Sequence, residues 1–170
     1  VTISRVGVAL GSNLGDRLGT LRGARSLLRA LAEPAEEFLQ APVYQAEPVG
    51  CPPGSPDFYN SVVEFACRLS PHVLLEMTRR IERDLGRTLS TQRNAPRVID
   101  LDILYFGDQR LGDDLLLLPH PRLTQRRFVL QPLADIRPGL ILPGDAATIA
   151  QHLRSLDASE PAVHLVQSSW

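Results

Sequence analysis

With 170 residues, 44% of them apolar and 22% charged, the chain is long enough for one domain with a proper core. A net charge of −1 gives no global electrostatic case for nucleic acid or an anionic membrane. The cysteines, Cys51 and Cys67, form no CxxC and have no His beside them, which argues against a disulfide scaffold or a zinc site. No apolar run approaches about 18 residues, and the first residues lack a basic-then-apolar leader. A cytoplasmic protein is therefore expected, with neither membrane nor nucleic acid as partner.

From Ile3 to Leu10, Val6, Val8 and Leu10 alternate with the small Gly7 and Ala9, which predicts a first strand. Gly11-Ser12-Asn13-Leu14-Gly15-Asp16 follows, where Ser12, Asn13 or Asp16 can cap the next helix. This segment has neither a Gly-Lys-Ser/Thr ending nor GxGxxG spacing, so a structural turn is favoured over a phosphate loop. Leu18, Leu21, Ala24, Leu28 and Leu31 recur at helical spacing and stop before Pro34. Residues 37–45 predict a strand interrupted at Pro42. The Pro- and Gly-rich stretch 46–56 is expected as a surface loop, either for binding or as a plain connector.

Phe58 to Leu69 alternates: Tyr59, Val63, Phe65, Cys67 and Leu69 make an apolar face, with Phe58, Asn60, Val62, Glu64 and Arg68 opposite. Phe58 and Asn60 thus point the same way, a ring beside an amide that donates and accepts. That pair suits a flat, polar-edged heterocycle, and equally an exposed ring at a strand start. Cys67 reads as a packed core thiol. Ser70-Pro71 opens a helix with Leu74, Met77, Ile81 and Leu85 on its stripe. Arg79, Arg80, Glu82, Arg83 and Asp84 form its expected outer face. Gly86 ends it.

Residues 87–97 are polar and aperiodic, and bring Arg87, Arg93 and Arg97 to the next segment. Arg97 to Phe106 reads as a central strand with Ile99, Leu101, Ile103 and Tyr105 on one face and Asp100 and Asp102 on the other. Two carboxylates at i and i+2 lie roughly 6–7 Å apart and repel, so they need a cation or solvent. Two Mg²⁺ ions would fit between them, as in in-line phosphoryl displacement. A wet strand face carrying two Asp is the plainer account, but a basic loop alongside favours phosphate chemistry. Pro119-His120-Pro121 fixes an imidazole in a rigid turn, available to a phosphate, a ribose or its own backbone. Thr124 is expected to cap a helix containing Arg126, Arg127, Phe128, Leu130 and Leu133. The tail predicts a strand at 140–142, a helix at about 148–156 and a strand near 163–166, without legible chemistry. The order strand–helix–strand, strand–helix–strand predicts an α+β ferredoxin-like sandwich, with a mainly antiparallel sheet and helices packed on its faces.

The ordered set Gly11–Asp16, Tyr44 with Glu47-Pro48-Val49-Gly50, Pro56–Asn60, Ile81-Glu82, Gly86-Arg87, Ala95–Leu104 and Pro119–Leu123 with Arg126 and Phe128 resembles the 6-hydroxymethyl-7,8-dihydropterin pyrophosphokinases of the folate pathway. The motifs lie within residues 1–140 of what is expected to be a single domain, 1–170. The resemblance implies transfer of pyrophosphate from ATP to the pterin hydroxymethyl group, with release of AMP; a monomer is expected. It implies two Mg²⁺ ions on Asp100 and Asp102, and neutralisation of the transferring group by Arg97 with Arg87 or Arg93. Glu82, Arg97, Ile103, His120 and Arg126 match positions around ATP. Phe58 and Phe128 would sandwich the pterin, with Asn60 and the Ala46, Glu47 and Val49 segment at its edge. Asn94 stands where some members carry a Trp, Ala46 where Thr is common, Arg79 where Gln is common and Pro121 where some have Tyr. Another Mg²⁺-dependent transferase would not explain the aromatic pair with Asn60. An RNA-binding module of this shape would not display carboxylates.

Overall fold

The computed structural model describes residues 2–88 and 92–170. Its frame follows from the two unlike faces of the first strand, β1 (Ser4–Ser12). Val6, Val8 and Leu10 are buried on one side, while Gly7, Ala9 and Gly11 leave a low floor on the other. β1 pairs with β4 (Phe58–Cys67) and with β5 (Asp100–Phe106). The sheet order is β5-β1-β4-β3-β8, where β3 is Val43–Ala46 and β8 is Val163–Gln167, and β2 (Leu39–Gln40) also pairs with β4. All these pairings are antiparallel. Pro42 splits the predicted 37–45 strand into β2 and β3, as a residue without an N–H should.

α1 (Arg17–Arg29) and α2 (Pro71–Asp84) bury Leu21, Ala24, Leu28, Leu74 and Ile81 against the Val6 face, with Phe65 and Cys67. α3 (Arg127–Ile136) and α4 (Ile149–Arg154) cover the other face with Val129, Leu130, Leu133 and Ile149. Each fully buried Leu or Phe contributes about 1.5–3 kcal/mol over leaving it exposed. Asp16 caps α1 by accepting from Gly19 N–H at 3.1 Å, and Ser70 caps α2 ahead of Pro71. Gly86 follows α2 at φ 99°, a conformation that favours glycine.

Several expectations are corrected. The Asp strand starts at Asp100, not Arg97, and β5 lies at the sheet edge rather than in its centre. Its register with β1 slips between Gly7 and Val8, because Val8 opposes Ile103 while Gly7 opposes Tyr105. Leu104 is the extra residue of this bulge. One inserted residue inverts the alternation beyond it, so Tyr105 leaves the Ile99–Leu101–Ile103 face and packs under α3.

Glu82 is not on an outer face. It is 8% exposed and turned toward β5, where its carboxylate accepts Leu101 N–H at 3.1 Å. Glu64 is likewise fully buried. Thr124 caps no helix: Leu123–Gln125 is a 3-10 turn, Arg126 is extended, and α3 starts after it. The first α3 amide, Arg127 N–H, is met by Glu160 Oε1 of the tail at 3.3 Å. Residues 140–142 form only a single bridge, Ile141 to Thr148, because Thr148 immediately enters the capping box of α4. A hairpin of β6 (Leu111–Gly112) and β7 (Leu117–Leu118), unforeseen in the pattern, precedes the His120 turn. No helix among the described residues is long and apolar enough to cross a membrane.

Candidate active site

Antiparallel register sets side chains from three strands in rows across the sheet. Asn60, Gly11 and Asp100 form one row, and Val62, Ala9 and Asp102 the next. The middle strand contributes only Gly11 and Ala9, so a trough runs from the Phe58–Asn60 wall to the carboxylate wall. Two strand spacings separate the walls by roughly 10 Å. Gly11 is required by this closeness: an added Cβ there would sit 2.9 Å from Asn60 Nδ2 and 3.5 Å from Phe58.

Two cavities meet at the carboxylates. The first, of about 250 Å³, is lined by Ala46, Glu47, Val49, Phe58, Asn60 and Phe128, and it reaches Arg97, Arg126, Asp100, Asp102 and His120. The second, of about 460 Å³, is lined by Glu82, Arg87 and Ile103 and again by Asp100, Asp102 and His120. Among the expected site residues only Arg93 lines neither cavity. It is exposed, and residues 89–91 of its loop lie outside the described ones. Arg79 also lines the second cavity. Asn94, at φ 55°, donates to Gly50 O at 2.9 Å and so links the basic loop to the Pro-rich one. Asn tolerates that left-handed backbone better than most residues.

The charges are arranged unequally. Arg87 pairs with both Glu82 and Asp100, and Arg97 Nη1 reaches Asp100 Oδ2 at 3.3 Å. Asp102 is half-buried beside Asp100 and Glu82; desolvation first, then those two charges, push its pKa up to about 7, against the pull of Arg126 and Arg87. Burial also raises Glu82, opposed by Arg87 and the Leu101 amide. Arg87 is held above its ordinary pKa, because Glu82 and Asp100 outweigh the lowering by burial. His120 is lowered by burial and then by Arg126 and Arg122, so it is neutral at pH 7. Its Nδ1 accepts Arg122 N–H at 3.2 Å, which leaves the ring proton on Nε2. The His120 backbone N–H donates to the O of Leu104, the bulge residue, at 2.8 Å. Asn60 Oδ1 is buried and has no partner among the described residues.

Two carboxylates suit Mg²⁺, which binds through one or two of them and takes its other oxygens from water and phosphates. No group of three or more His, Cys, Asp or Glu that could hold a metal occurs among the described residues. Arg122, Leu104 and Cys51 line the first cavity without having been singled out. Arg122 was legible as a cation beside a fixed imidazole. Leu104 continues the Asp100–Asp102 series at a period of two and so shares their face, ahead of the bulge.

An α+β sandwich whose sheet edge holds two carboxylates between an aromatic, amide-edged cavity and an Arg/Glu-lined one has the layout of a phosphotransferase. Residues 7–138 match the model of the family described as 7,8-dihydro-6-hydroxymethylpterin-pyrophosphokinase (HPPK). The chain is 43% identical over 129 residues to the 2-amino-4-hydroxy-6-hydroxymethyldihydropteridine pyrophosphokinase of Bacillus subtilis, covering 76% of this chain and 75% of that one. With the enzyme of that name from Pseudomonas aeruginosa it shares 39% over 159 residues, 94% of this chain and 93% of the other. It is 41% identical to the mitochondrial folate synthesis bifunctional protein of Pisum sativum over 76% of its length, but spans only 24% of that protein. A crystal structure of Plasmodium falciparum HPPK-DHPS superposes with a TM-score of 0.69 at 15% identity, over 90% of this chain and 43% of that one, which bears on the fold alone. The chain belongs to the 7,8-dihydro-6-hydroxymethylpterin-pyrophosphokinase family, the pyrophosphokinases of folate synthesis.

Proposed function

We propose that the first cavity takes the pterin ring, the second takes ATP, and pyrophosphate passes between them at Asp100 and Asp102. The observation that carries this reading is that the two cavities share Asp100, Asp102 and His120. Phe58 and Phe128 flank the ring. Asn60 Oδ1, without a partner among the described residues, accepts an N–H from its edge, and Ala46, Glu47 and Val49 border it. Glu82, Ile103, His120, Arg97 and Arg126 contact ATP. His120 donates from Nε2 to a phosphate or ribose oxygen, as its neutral tautomer allows.

The hydroxymethyl oxygen attacks the β-phosphorus of ATP. The bond from that phosphorus to the oxygen of the α-phosphate breaks, AMP leaves, and the hydroxyl proton passes to water or a carboxylate. No residue is assigned as a dedicated base. Pyrophosphate transfer needs position and charge stabilisation more than covalent help. Arg97, with Arg87 or Arg93, supplies positive charge to the transferring group. Asp100 and Asp102 would hold two Mg²⁺ ions, which when bound neutralise phosphate oxygens and acidify the attacking alcohol. Asp102, which lies beside Asp100 and makes no ion pair among the described residues, supports that assignment. The chain acts as one domain over 1–170, as a monomer in the cytoplasm; sedimentation at 18.7 kDa tests the monomer.

The test follows AMP and ADP separately, with ATP, Mg²⁺ and 6-hydroxymethyl-7,8-dihydropterin. AMP formed in step with pterin diphosphate is expected. ADP formation would instead mean transfer of the γ-phosphoryl group and would refute the assignment.

A further inference from the structure

We propose that Asn13 is a positioning residue for pyrophosphate transfer, clasping the Arg97 segment to the segment that carries Phe58. The proposal rests on the role given to Arg97 above. Asn13 lies just past β1 in the turn expected to cap α1, but Asp16 makes that cap, so the Asn13 side chain is committed elsewhere. It is 1% exposed.

Its N–H donates to Arg97 O at 3.2 Å, and its Oδ1 accepts Arg97 N–H at 2.9 Å. One residue thus holds both main-chain polar groups of Arg97, three residues before β5 begins. Its Nδ2 donates to Pro56 O at 3.1 Å, two residues before Phe58. Only a short carboxamide offers this acceptor and this donor at such reach. Asp lacks the donor, Ala lacks both, and Gln carries an extra methylene into a filled site. The Pro-rich loop is poor in amides of its own, so a side-chain donor is a direct way to fix the Pro56 carbonyl. From this anchor the Arg97 guanidinium reaches Asp100. The clasp therefore joins the cationic side of the site to its aromatic side.

Misplacing a reacting or stabilising group by about 1 Å can cost roughly 100-fold in rate. Asn13→Ala is expected to lower kcat about 10- to 100-fold. In an Arg97→Ala background the same change is expected to cost under about 3-fold, because the group it positions is gone. Asn13→Asp keeps the acceptor for Arg97 and loses the donor to Pro56, so its effect falls on KM for the pterin more than on kcat. Amide hydrogen exchange supplies a readout free of turnover: Arg97 N–H exchanges faster in Asn13→Ala, while β1 and β4 amides keep their protection. A kcat within 2-fold of wild type, losses that multiply fully with Arg97→Ala, or faster exchange throughout the sheet would each overturn the proposal. Wild-type protein that forms no AMP would sink the pyrophosphate reading itself. Unchanged exchange at Arg97 would sink the clasp separately.

Discussion

Replacing Glu64 by Gln tests the polar crossbar on the α3 side of the sheet. Glu64, Gly7 and Tyr105 form a row across β4, β1 and β5. The Tyr105 ring lies over Gly7, where an added Cβ would come within 2.4 Å of it, and its hydroxyl donates to Glu64. Arg5 Nε at 2.6 Å and Arg137 Nη1 at 2.6 and 2.7 Å complete the carboxylate's partners. Glu64 has no exposed side-chain surface, whereas Arg5 and Arg137 are 33% and 34% exposed. Removing one charge from a buried pair costs about 3–5 kcal/mol. Rehydration of the arginines offsets part of that, so about 2–4 kcal/mol is expected. In a chain of this size each kcal/mol moves Tm about 2–4 °C, which gives a fall of roughly 4–16 °C at pH 7.5.

The acid limb supplies a second check. Burial alone would raise the pKa of Glu64, but the Tyr105, Arg5 and Arg137 hydrogen bonds bring it below the ordinary carboxylate value. A lowered folded-state pKa contributes stability that is present above the unfolded value of about 4.3 and lost as pH falls through the folded value. Glu64→Gln should therefore lose more stability at pH 7.5 than at pH 3, measured by urea unfolding. A Tm fall under 2 °C at pH 7.5, or an acid dependence identical to wild type, would refute the crossbar as a stabilising element.

Asp100→Asn and Asp102→Asn should each cut AMP formation by more than about 100-fold with Tm little reduced; full turnover in either would remove the metal assignment. The raised pKa of Asp102, about 7, gives the opposite sign to Glu64: its contribution to metal-free stability is full below about 3.9 and is lost as pH rises through about 7. Mg²⁺ should accordingly raise Tm more at pH 8 than at pH 5.5, and Asp102→Asn should abolish the difference. An equal shift at both pH values would contradict this. Phe58→Ala should raise KM for the pterin about 10-fold or more and leave KM for ATP within about 2-fold, as loss of one ring contact implies; equal rises would place Phe58 at both subsites. Trp170→Ala should cost about 3–5 kcal/mol in urea unfolding, since the ring is 7% exposed in the core and its Nε1 donates to Ala41 O at 2.6 Å. A loss under 1 kcal/mol would show that the core tolerates its absence.

The strand and helix faces that local periodicity can express were legible from the residues alone. Small Gly7 and Ala9 opposite Val6, Val8 and Leu10 foretold a strand with one packed side and one low side. The spacings of Leu21, Ala24 and Leu28, and of Leu74 and Ile81, gave two helices and their buried stripes. The Asp100–Asp102 pair, the Phe58–Asn60 pair and the His120 turn marked residues that line the candidate site, because a period of two places neighbours on one strand correctly. What a strand meets on its flanks leaves no such local trace. Only the tertiary structure put β5 at the edge, set Asn60, Gly11 and Asp100 in one row, and bulged Leu104 so that Tyr105 crossed to Glu64. Glu82 read as a solvated charge until β5 and Arg87 closed over it. Asn13 and Arg97 are 84 residues apart, and Arg127 and Glu160 are 33 apart. Such contacts depend on where the chain returns after burying its apolar faces, and a polar side chain takes whatever backbone partner that packing leaves without water.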